Sequence, residues 1–493
     1  MTTTTHRISL DRSSPGRRRG LRLAGACAAF LSFLHLFAAA QSPSPSAESP
    51  LAVLWRERVR CVVAVEFQTE TEIDRRSTIV SGLVLDADGV IAIPGEAASN
   101  LTPPSRLVDF RVYRPGQKTS GYSPAEYIGP DGLTGWRYIR VAPGALRDAL
   151  VPVTVFVKPG APEPGIGATV WGIGLRNKDE DFAPYFLESK VSSLMTLPRR
   201  SLLALDEIAG PNLPVFTADG ALAGVGQGGF GESFLMYSRA ERGQSVFLVN
   251  TDETPVARLA SEILPWISRV PQNVFGRPSA WLGLSAVEPV DSELAALLKL
   301  DDQSALVVSG VLEGSPAEKG GVQARDIIVG IDGAPLPRLK PDRVVPAWME
   351  LQLARRAPGD VMRLSVLRNS GERVELPVTL GDEPRNTAEA ERKYFDAPGF
   401  AVREFVYSDA VARRVKQSES AGVVASFVKH DSPASIAGLR MEDWIRQIDG
   451  AAIATYADAI RKLDEIAADT ARTEFVLQTS RNGETAVLRV KLK

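Results

Sequence analysis

Two stretches of this sequence decide how its C-terminal half folds: LVVSGVLEGSPAEKGGVQARDIIVGIDG at 306–333 and VVASFVKHDSPASIAGLRMEDWIRQIDG at 423–450. They are copies of one pattern at a constant offset of 117 residues, so that Ser315 recurs as Ser432. An internal repeat of this length indicates two domains of the same kind in tandem.

Each copy predicts the same local structure. A strand runs into a Ser-Pro-Ala turn, a short helix ends at Gly321 or Gly438, and Ile-Asp-Gly closes a hairpin. A longer amphipathic helix follows, starting near Pro346 in the first copy and after Thr455 in the second, where Asp458 completes a capping box. The apolar stripes of these helices, mostly core, are Val345, Trp348 and Leu351, and Ile460, Leu463 and Ile466.

The SPA, glycine and D-x-I-x-x-I-D-G elements resemble the PDZ family in both copies. The resemblance implies α+β domains that bind the free C-terminal end of a peptide. A loop of backbone N–H groups would hold the carboxylate, and the peptide would add as a strand beside the long helix.

The family's carboxylate loop has the form X-Φ-G-Φ, which resembles WLGL at 281–284 and APGF at 397–400. Pro398 has no N–H to offer a carboxylate, so we expect the first domain to bind tails better. For either loop, a structural turn without a ligand is the alternative. The resemblance implies these peptide-binding residues: Trp281, Leu282, Gly283, Leu284 and Trp348 in the first domain, and Gly399, Phe400 and Leu463 in the second.

Upstream of the repeat, residues 51–268 contain short apolar runs separated by Gly, Pro and Asp. This pattern predicts an all-β barrel or sandwich region. The predicted strands include 60–67, 77–85, 151–157 and 168–173, and a predicted helix over 256–267 closes the region.

The N-terminus predicts export. Arginines at 17–19 and 22 precede an apolar stretch over 23–40 that ends in Ala-Ala-Ala, as a secretory signal peptide does. An uncleaved anchor formed by 23–40 is the alternative. The Pro/Ser-rich segment 41–50 is typical of a flexible tether.

An exported all-β region followed by two PDZ domains resembles the HtrA (DegP-like) family, whose N-terminal domain has a trypsin-like fold. The stretches that carry the resemblance are SGLVLDADGVIAIPGEA at 81–97, DGLTGWRYIRV at 131–141, GATVWGIG at 167–174, AGPNLPV at 209–215 and DGALAGV at 219–225. They place Glu96 at the family's catalytic histidine, Gly135 at its aspartate and Pro211 at its serine.

These three residues cannot perform serine-protease chemistry. Glu96 is a carboxylate where an imidazole base is needed, Gly135 has no side chain, and Pro211 offers neither a hydroxyl nor an N–H for the oxyanion. The chain's three histidines are His6, His35 and His430, so 51–268 contains none. We therefore predict a degenerate, inactive triad.

Two other functions stay open. An active endopeptidase would need relocated groups, for which Ser233 with Lys178 or Lys190 is the available combination. A structural component whose PDZ domains bind no free tails is the third possibility. The simpler interpretation of Glu96 and Asp88 is that they are solvated carboxylates, and of His430 that it is a surface loop residue.

Composition excludes several classes of function. A net charge of −2 over 493 residues gives no basic field for nucleic acid. Two cysteines and three histidines leave no ordinary zinc site, and we expect no metal or cofactor. Cys61, the one cysteine after the leader, is expected to be an inert core residue.

The predicted protein is mostly β: a degenerate trypsin-like double β-barrel followed by two α+β PDZ domains. The predicted segments are a signal peptide (1–40), a linker (41–50), the protease-inactive domain (51–268), PDZ domain 1 (269–382), a linker (383–393) and PDZ domain 2 (394–493).

The expected function is that of a periplasmic or secreted pseudoprotease. It would bind C-terminal peptides or unfolded exported proteins, as an adaptor or chaperone in envelope protein quality control. The HtrA resemblance implies a homo-trimer or a hetero-oligomer with an active relative. A membrane contact is expected only if the leader stays uncleaved.

Overall fold

The computed structural model describes residues 49–230, 234–237, 245–248, 254–300, 302–416 and 420–492, so the predicted signal peptide lies outside the described residues. Over these ranges, every helix is too short or too polar to cross a bilayer.

The first domain begins with a closed barrel of six antiparallel strands in the order β1-β2-β3-β6-β5-β4. Alternate side chains of these strands fill its interior, as in Val63, Phe67, Ile91 and Ile139, each at most 1% exposed. The strands are β1 (Val62–Glu70), β2 (Arg75–Val84), β3 (Val90–Pro94), β4 (Leu107–Tyr113), β5 (Ser123–Asp131) and β6 (Trp136–Val141).

A second closed barrel follows, in the order β10-β11-β14-β9-β8-β7, and it packs around Trp171 and Phe216, whose ring centroids lie 4.8 Å apart. Two closed six-stranded barrels confirm the predicted trypsin-like architecture. The strands are β7 (Thr169–Leu175), β8 (Pro184–Met195), β9 (Ser201–Ala204), β10 (Pro214–Thr217), β11 (Leu222–Phe230) and β14 (Thr254–Leu259), with a separate hairpin of β12 (Phe234–Tyr237) and β13 (Ser245–Leu248).

Short helices flank the barrels. In α1 (Pro50–Arg58), the Arg58 guanidinium donates two hydrogen bonds to the Gly220 carbonyl of the second barrel. The others in this domain are α2 (Ala145–Ala149) and α3 (Ala260–Ile263).

One predicted element of the barrel domain is wrong and another is confirmed in part. Within the predicted strand at 151–157, Val153–Phe156 is a 3₁₀ turn, which buries Val153 and Phe156 on one side because they are three residues apart. The predicted helix over 256–267 is helical in Ala260–Ile263 and Leu264–Trp266, but its first residues belong to β14, because the second barrel closes only if this segment pairs with β9 and β11.

An ion pair between a partly exposed lysine and a buried carboxylate joins the two barrels. Lys178, between β7 and β8, lies 2.7 Å from the Glu66 carboxylate of β1, whose side chain is 9% exposed. Tyr113 and Ser77 also donate to this carboxylate, at 2.6 and 3.1 Å. Glu66 is therefore fully hydrogen-bonded at the barrel boundary.

The next domain is a five-strand sheet in the order β16-β17-β18-β20-β21, in which β18 also carries β19 and a separate pair joins β15 to β22. Its strands are β15 (Ala280–Trp281), β16 (Leu284–Pro289), β17 (Leu306–Val311), β18 (Ile327–Ile331), β19 (Ala334–Pro335), β20 (Val361–Leu367), β21 (Arg373–Thr379) and β22 (Gly381–Asp382). Its helices are α4 (Ser292–Leu297), α5 (Pro316–Lys319) and α6 (Val345–Ala354).

The last domain repeats this plan, with one strand more on its sheet path, in the order β23-β24-β25-β26-β28-β29. Its strands are β23 (Arg392–Phe395), β24 (Phe400–Glu404), β25 (Val423–Val428), β26 (Trp444–Ile448), β27 (Ala451–Ala452, paired to β26), β28 (Glu474–Arg481) and β29 (Glu484–Lys491). Its helices are α7 (Tyr407–Arg413), α8 (Pro433–Ile436) and α9 (Tyr456–Ala468).

Local sequence signals of the repeat are confirmed. The Thr455–Asp458 capping box begins α9. Asp332 and Gly333 have φ angles of 53° and 79°, as the predicted Ile-Asp-Gly hairpin turn requires. The predicted linker 383–393 is wrong at its end, because Arg392 already belongs to β23, whose backbone pairs with β24.

We predict that Glu66→Gln lowers the free energy of unfolding by about 1–3 kcal/mol at pH 7. Burial opposes the charged carboxylate, but the hydrogen bonds from Lys178, Tyr113 and Ser77 outweigh it and hold the pKa of Glu66 below its ordinary 4.5. A lowered folded-state pKa stabilises the fold above pH 4.5, and this contribution is lost as the pH falls through the folded value.

The difference between wild type and Glu66→Gln should therefore shrink below about pH 4.5 in denaturant titrations. Glu126→Gln, at an exposed position on β5, is the control and should leave stability almost unchanged at either pH. A difference that does not depend on pH would contradict the role given to the ion pair.

Candidate functional site

Glu96, Gly135 and Pro211 come together around one cavity of about 60 Å³. They reach it from different elements: Glu96 follows β3, Gly135 precedes β6, and Pro211 lies between β9 and β10. The remaining lining residues are Pro94, Trp136, Asn212, Gly226 and Gln227.

The segment that carries Glu96 is a 3₁₀ turn held by backbone contacts. A Cβ on Gly95 would lie 2.4 Å from the Gly135 carbonyl oxygen, so only glycine permits this approach. The buried Arg137 donates to the carbonyls of Gly95 and Ala98 at 2.9 and 2.7 Å. Glu96 itself is exposed, and it also borders a cleft of about 660 Å³ beside residues 274–279 and 383–389.

The turn before Gly135 contains one buried carboxylate, Asp131, and both of its oxygens accept hydrogen bonds. One of its oxygens accepts from the Thr134 N–H and hydroxyl at 2.8 and 2.9 Å, and the other accepts from Arg269 at 2.8 Å. Asp131 therefore shapes the turn and is not available to orient a base.

The loop around Pro211 is held equally firmly. Asn212 has a left-handed φ of 62°, its N–H donates to the Gly226 carbonyl at 2.8 Å, and its amide donates to the Ala92 carbonyl at 2.6 Å. Ser81 lies nearby, and its hydroxyl donates to the Pro211 carbonyl at 2.6 Å. Neither Pro211 nor Asn212 therefore has a backbone N–H free for an oxyanion.

Within the part of the chain that the structure describes, the residues considered for a relocated site do not come together. Lys178 is held by Glu66, and that hydrogen bond raises the pKa of Lys178, the opposite of what a general base needs. Lys190 is exposed on β8, and Ser233 lies outside the described residues. His430 is exposed beside Asp431, at 2.9 Å.

In the first PDZ-like domain, the predicted carboxylate loop has the form that anion binding needs. Gly283 has a φ of 85°, and a Cβ there would lie 2.2 Å from the Ser315 Cβ. The carbonyls of Leu282 and Gly283 accept from Ala317 and Leu312, whereas their N–H groups have no acceptor among the described residues. Two adjacent N–H groups are thus free to bind a carboxylate.

The strand after this loop is open on one side. Leu284 begins β16, which pairs with β17 on one edge and ends the described sheet on the other. Helix α6, which contains the half-buried Trp348, packs against β15 and β16. The predicted residues of the first domain therefore border one groove between an edge strand and a helix.

The corresponding groove of the second domain is occupied by the chain itself. β23 pairs with β24 from Phe395↔Phe400 to Arg392↔Arg403, and Lys393 of β23 forms an ion pair with Asp464 of α9 at 2.6 Å. The Gly399 N–H donates to the Phe395 carbonyl at 3.0 Å. Phe400 and Leu463 are buried in the core, at 0% and 2% exposure.

A cavity of about 220 Å³ remains at the end of this groove, and Leu463 and Pro398 border it together with Phe395, Ile466 and Phe475. The sequence-based interpretation found the proline in this loop but missed the pairing of β23. The sequence does contain a signal for this pairing: two apolar runs lie close together on either side of DAPG at 396–399, which is the pattern of a hairpin.

Comparison with known families agrees with these folds. Residues 307–347 and residues 411–492 each match the PDZ domain family.

Curated relatives cover part of the chain. A probable periplasmic serine endoprotease, DegP-like, of Pseudomonas putida (strain W619) is 30% identical over 218 residues, which are 43% of each chain. The protein of the same description from Brucella suis biovar 1 (strain 1330) is 28% identical over 206 residues, 41% of this chain and 37% of its own. The chain thus spans about two fifths of the length of the relatives it matches.

Solved structures similar to this one include an HtrA-type protease, AlgW, with decapeptide, at 18% identity and a TM-score of 0.44 over 68% of this chain and 98% of that chain. A serine endoprotease from Yersinia pestis has 17% identity and a TM-score of 0.44 over 68% of this chain and 99% of its own. On the family matches and the curated relatives, this chain contains two PDZ domains and is homologous to the DegP-like (HtrA) serine endoproteases.

Proposed function

We propose that this protein is a non-catalytic HtrA-like protein that binds the C-terminal tails of other proteins through its first PDZ domain. The observation that carries the proposal is the cavity at which Glu96, Gly135 and Pro211 meet. Three segments that the HtrA resemblance assigns to the triad converge there, and none of the three residues at the triad positions carries an imidazole, a hydroxyl or a thiol.

The surroundings of the cavity support the same proposal. The carboxylate of Asp131 is bound to Thr134 and Arg269, and the Ser81 hydroxyl donates to a carbonyl. A serine nucleophile needs a base that takes its proton and N–H groups that stabilise the oxyanion. The Asp131 carboxylate, the Ser81 hydroxyl and the Asn212 N–H are all engaged in structural hydrogen bonds instead.

The first PDZ domain supports the binding half of the proposal. A tail that adds to β16 would satisfy the open edge of that strand, and its carboxylate would reach the free N–H groups of Leu282 and Gly283. In the second domain, β23 and the engaged Gly399 N–H already use the equivalent groups. Of the two grooves, the first is therefore the one whose loop N–H groups and following strand edge have no partner among the described residues.

Cell location and assembly are parts of the proposal. The relatives are described as periplasmic, and the same compartment suits a chain with the predicted signal peptide. There it would hold exported proteins that present free or unfolded tails, as an adaptor or a chaperone in envelope quality control. Assembly as a homo-trimer or with an active relative is proposed on the HtrA resemblance alone.

We predict that the purified chain neither degrades casein nor reacts with a fluorophosphonate probe. Removing one oxyanion donor alone costs about 10²–10³ in rate, and here the base and the nucleophile are replaced as well. The measurement is casein cleavage over hours beside a DegP-like protease as positive control.

The matched variant for this assay is Ser233→Ala. Cleavage by homogeneous wild type that disappears in Ser233→Ala would overturn the proposal and establish the relocated-site alternative. Cleavage that persists in Ser233→Ala would trace to a contaminant if repurification removes it.

We also predict that Gly283→Ala abolishes the binding of tails enriched from a C-terminal peptide display library, whereas Gly399→Ala leaves it within about twofold. The two glycines are matched, since both have a positive φ and a Cβ would lie 2.2 Å from Ser315 in one and 2.3 Å from Ser432 in the other. Each substitution strains one carboxylate loop, so only the loop that binds tails should matter.

Fluorescence anisotropy with a labelled decapeptide measures the affinity, and circular dichroism verifies that both variants stay folded. Loss of binding in Gly399→Ala with retention in Gly283→Ala would mean that the second domain is the tail binder. Enrichment of no tail by wild type would favour the purely structural alternative.

A further inference from the structure

We propose that Tyr407, a residue of the second PDZ domain, positions the carboxylate loop of the first PDZ domain for tail binding. This inference rests on the proposed function of that loop. Tyr407 is the first residue of α7 and contacts two segments of the other domain. It is a positioning residue, because it acts on the loop through its neighbours.

The first contact is with Trp281, at the start of the loop. The Tyr407 ring meets the indole edge-on, with ring centroids 5.6 Å apart and an interplanar angle of 85°. Such T-shaped pairs are attractive beyond the area they bury. The second contact is a hydrogen bond in which the Tyr407 hydroxyl donates to the Glu313 carbonyl at 2.9 Å.

Both contacted segments bound the backbone of Gly283. Trp281 Cζ2 lies 3.2 Å from the point that a Cβ on Gly283 would occupy, and the Ser315 Cβ lies 2.2 Å from it. Glu313 and Ser315 belong to one turn, closed by the bond from the Ser315 N–H to the Leu312 carbonyl. Tyr407 thus fixes the indole on one side of Gly283 and the turn on the other.

The second domain holds Tyr407 in a rigid frame. The Asp409 carboxylate accepts from the Val406 N–H at 2.9 Å, which fixes the first turn of α7, and it pairs with Arg403 at 2.6 Å and Arg413 at 3.0 Å. The side chains of Arg403 and Asp409 are each 3% exposed. These contacts of Asp409 hold the first turn of α7, which carries Tyr407, against β24.

A loop that is already ordered binds a carboxylate with less loss of conformational freedom, so the contacts of Tyr407 raise affinity without touching the peptide. The tandem arrangement therefore gives the second domain a role in tail binding even though its own groove is filled by β23.

The test uses the full chain with Tyr407→Ala and Tyr407→Phe. Tyr394→Ala is the matched control, because this tyrosine also forms a T-shaped pair, with Phe427 at 5.9 Å, but lies wholly within the second domain. The first readout is anisotropy with the fluorescein-labelled decapeptide from the display screen. The second is hydrogen–deuterium exchange of the Leu312 and Ala317 amides, which donate to the loop carbonyls of Gly283 and Leu282, and it needs no peptide.

We expect Tyr407→Ala to weaken peptide binding about 10-fold and Tyr407→Phe about 3-fold, since the ring pair and the hydrogen bond each contribute. The Leu312 and Ala317 amides should exchange faster in Tyr407→Ala, and Tyr407→Phe should restore most of the protection. Tyr394→Ala should change neither readout.

Unchanged exchange of the Leu312 and Ala317 amides in Tyr407→Ala would overturn the inference, whatever the peptide does. Tighter binding in Tyr407→Ala would also overturn it, because Tyr407 would then cover the loop. If wild type binds no peptide, the proposed function fails, and the exchange measurement still decides whether Tyr407 orders the loop.

Discussion

The strand that follows the carboxylate loop in each PDZ domain has an edge whose N–H and C=O groups need hydrogen-bond partners. Along β24 the chain supplies them itself, because β23 turns back at DAPG and pairs from Phe395 to Arg392. Along β16 the preceding strand, β15, is bound to β22 instead, so the edge stays open among the described residues. Two copies of one domain thereby differ in whether this edge is paired, and the proposed difference in tail binding depends on where a short connecting segment pairs.

In the barrel domain, the interactions that hold the fold together differ from the groups that a serine-protease reaction would need. Closure of the two barrels depends on backbone ladders, an apolar interior and contacts such as the Glu66–Lys178 ion pair. The cavity between them is defined by backbone contacts, including the close approach of Gly95 to Gly135 and the hydrogen bonds of Asn212. None of these interactions involves a catalytic group, so the architecture can persist without the chemistry, as the proposed function requires.

Side-chain contacts also connect the three domains. Arg277, which follows the barrels, binds Glu389 of the segment between the PDZ domains at 2.5 Å, and Tyr407 spans from the second PDZ domain to Trp281 of the first. The loop at 281–284 thus contacts the second PDZ domain through Tyr407. Under the proposed role of Tyr407, such a contact lowers the cost of ordering the loop, so that a domain whose own groove is filled assists binding in the other.

The sequence by itself determined the repeat, the two PDZ domains, the β-rich domain before them and the local turns and caps, because these depend on residue type at short spacing. Through the HtrA resemblance, the sequence also predicted that Glu96, Gly135 and Pro211 stand at the triad positions. Only the tertiary structure decided that these three residues meet at one cavity, that β23 closes the second groove and that Tyr407 reaches the first. Strand pairing and contacts between domains join residues that are far apart in the chain. A local sequence pattern therefore does not determine which strand pairs with a free edge or which residue an aromatic ring contacts.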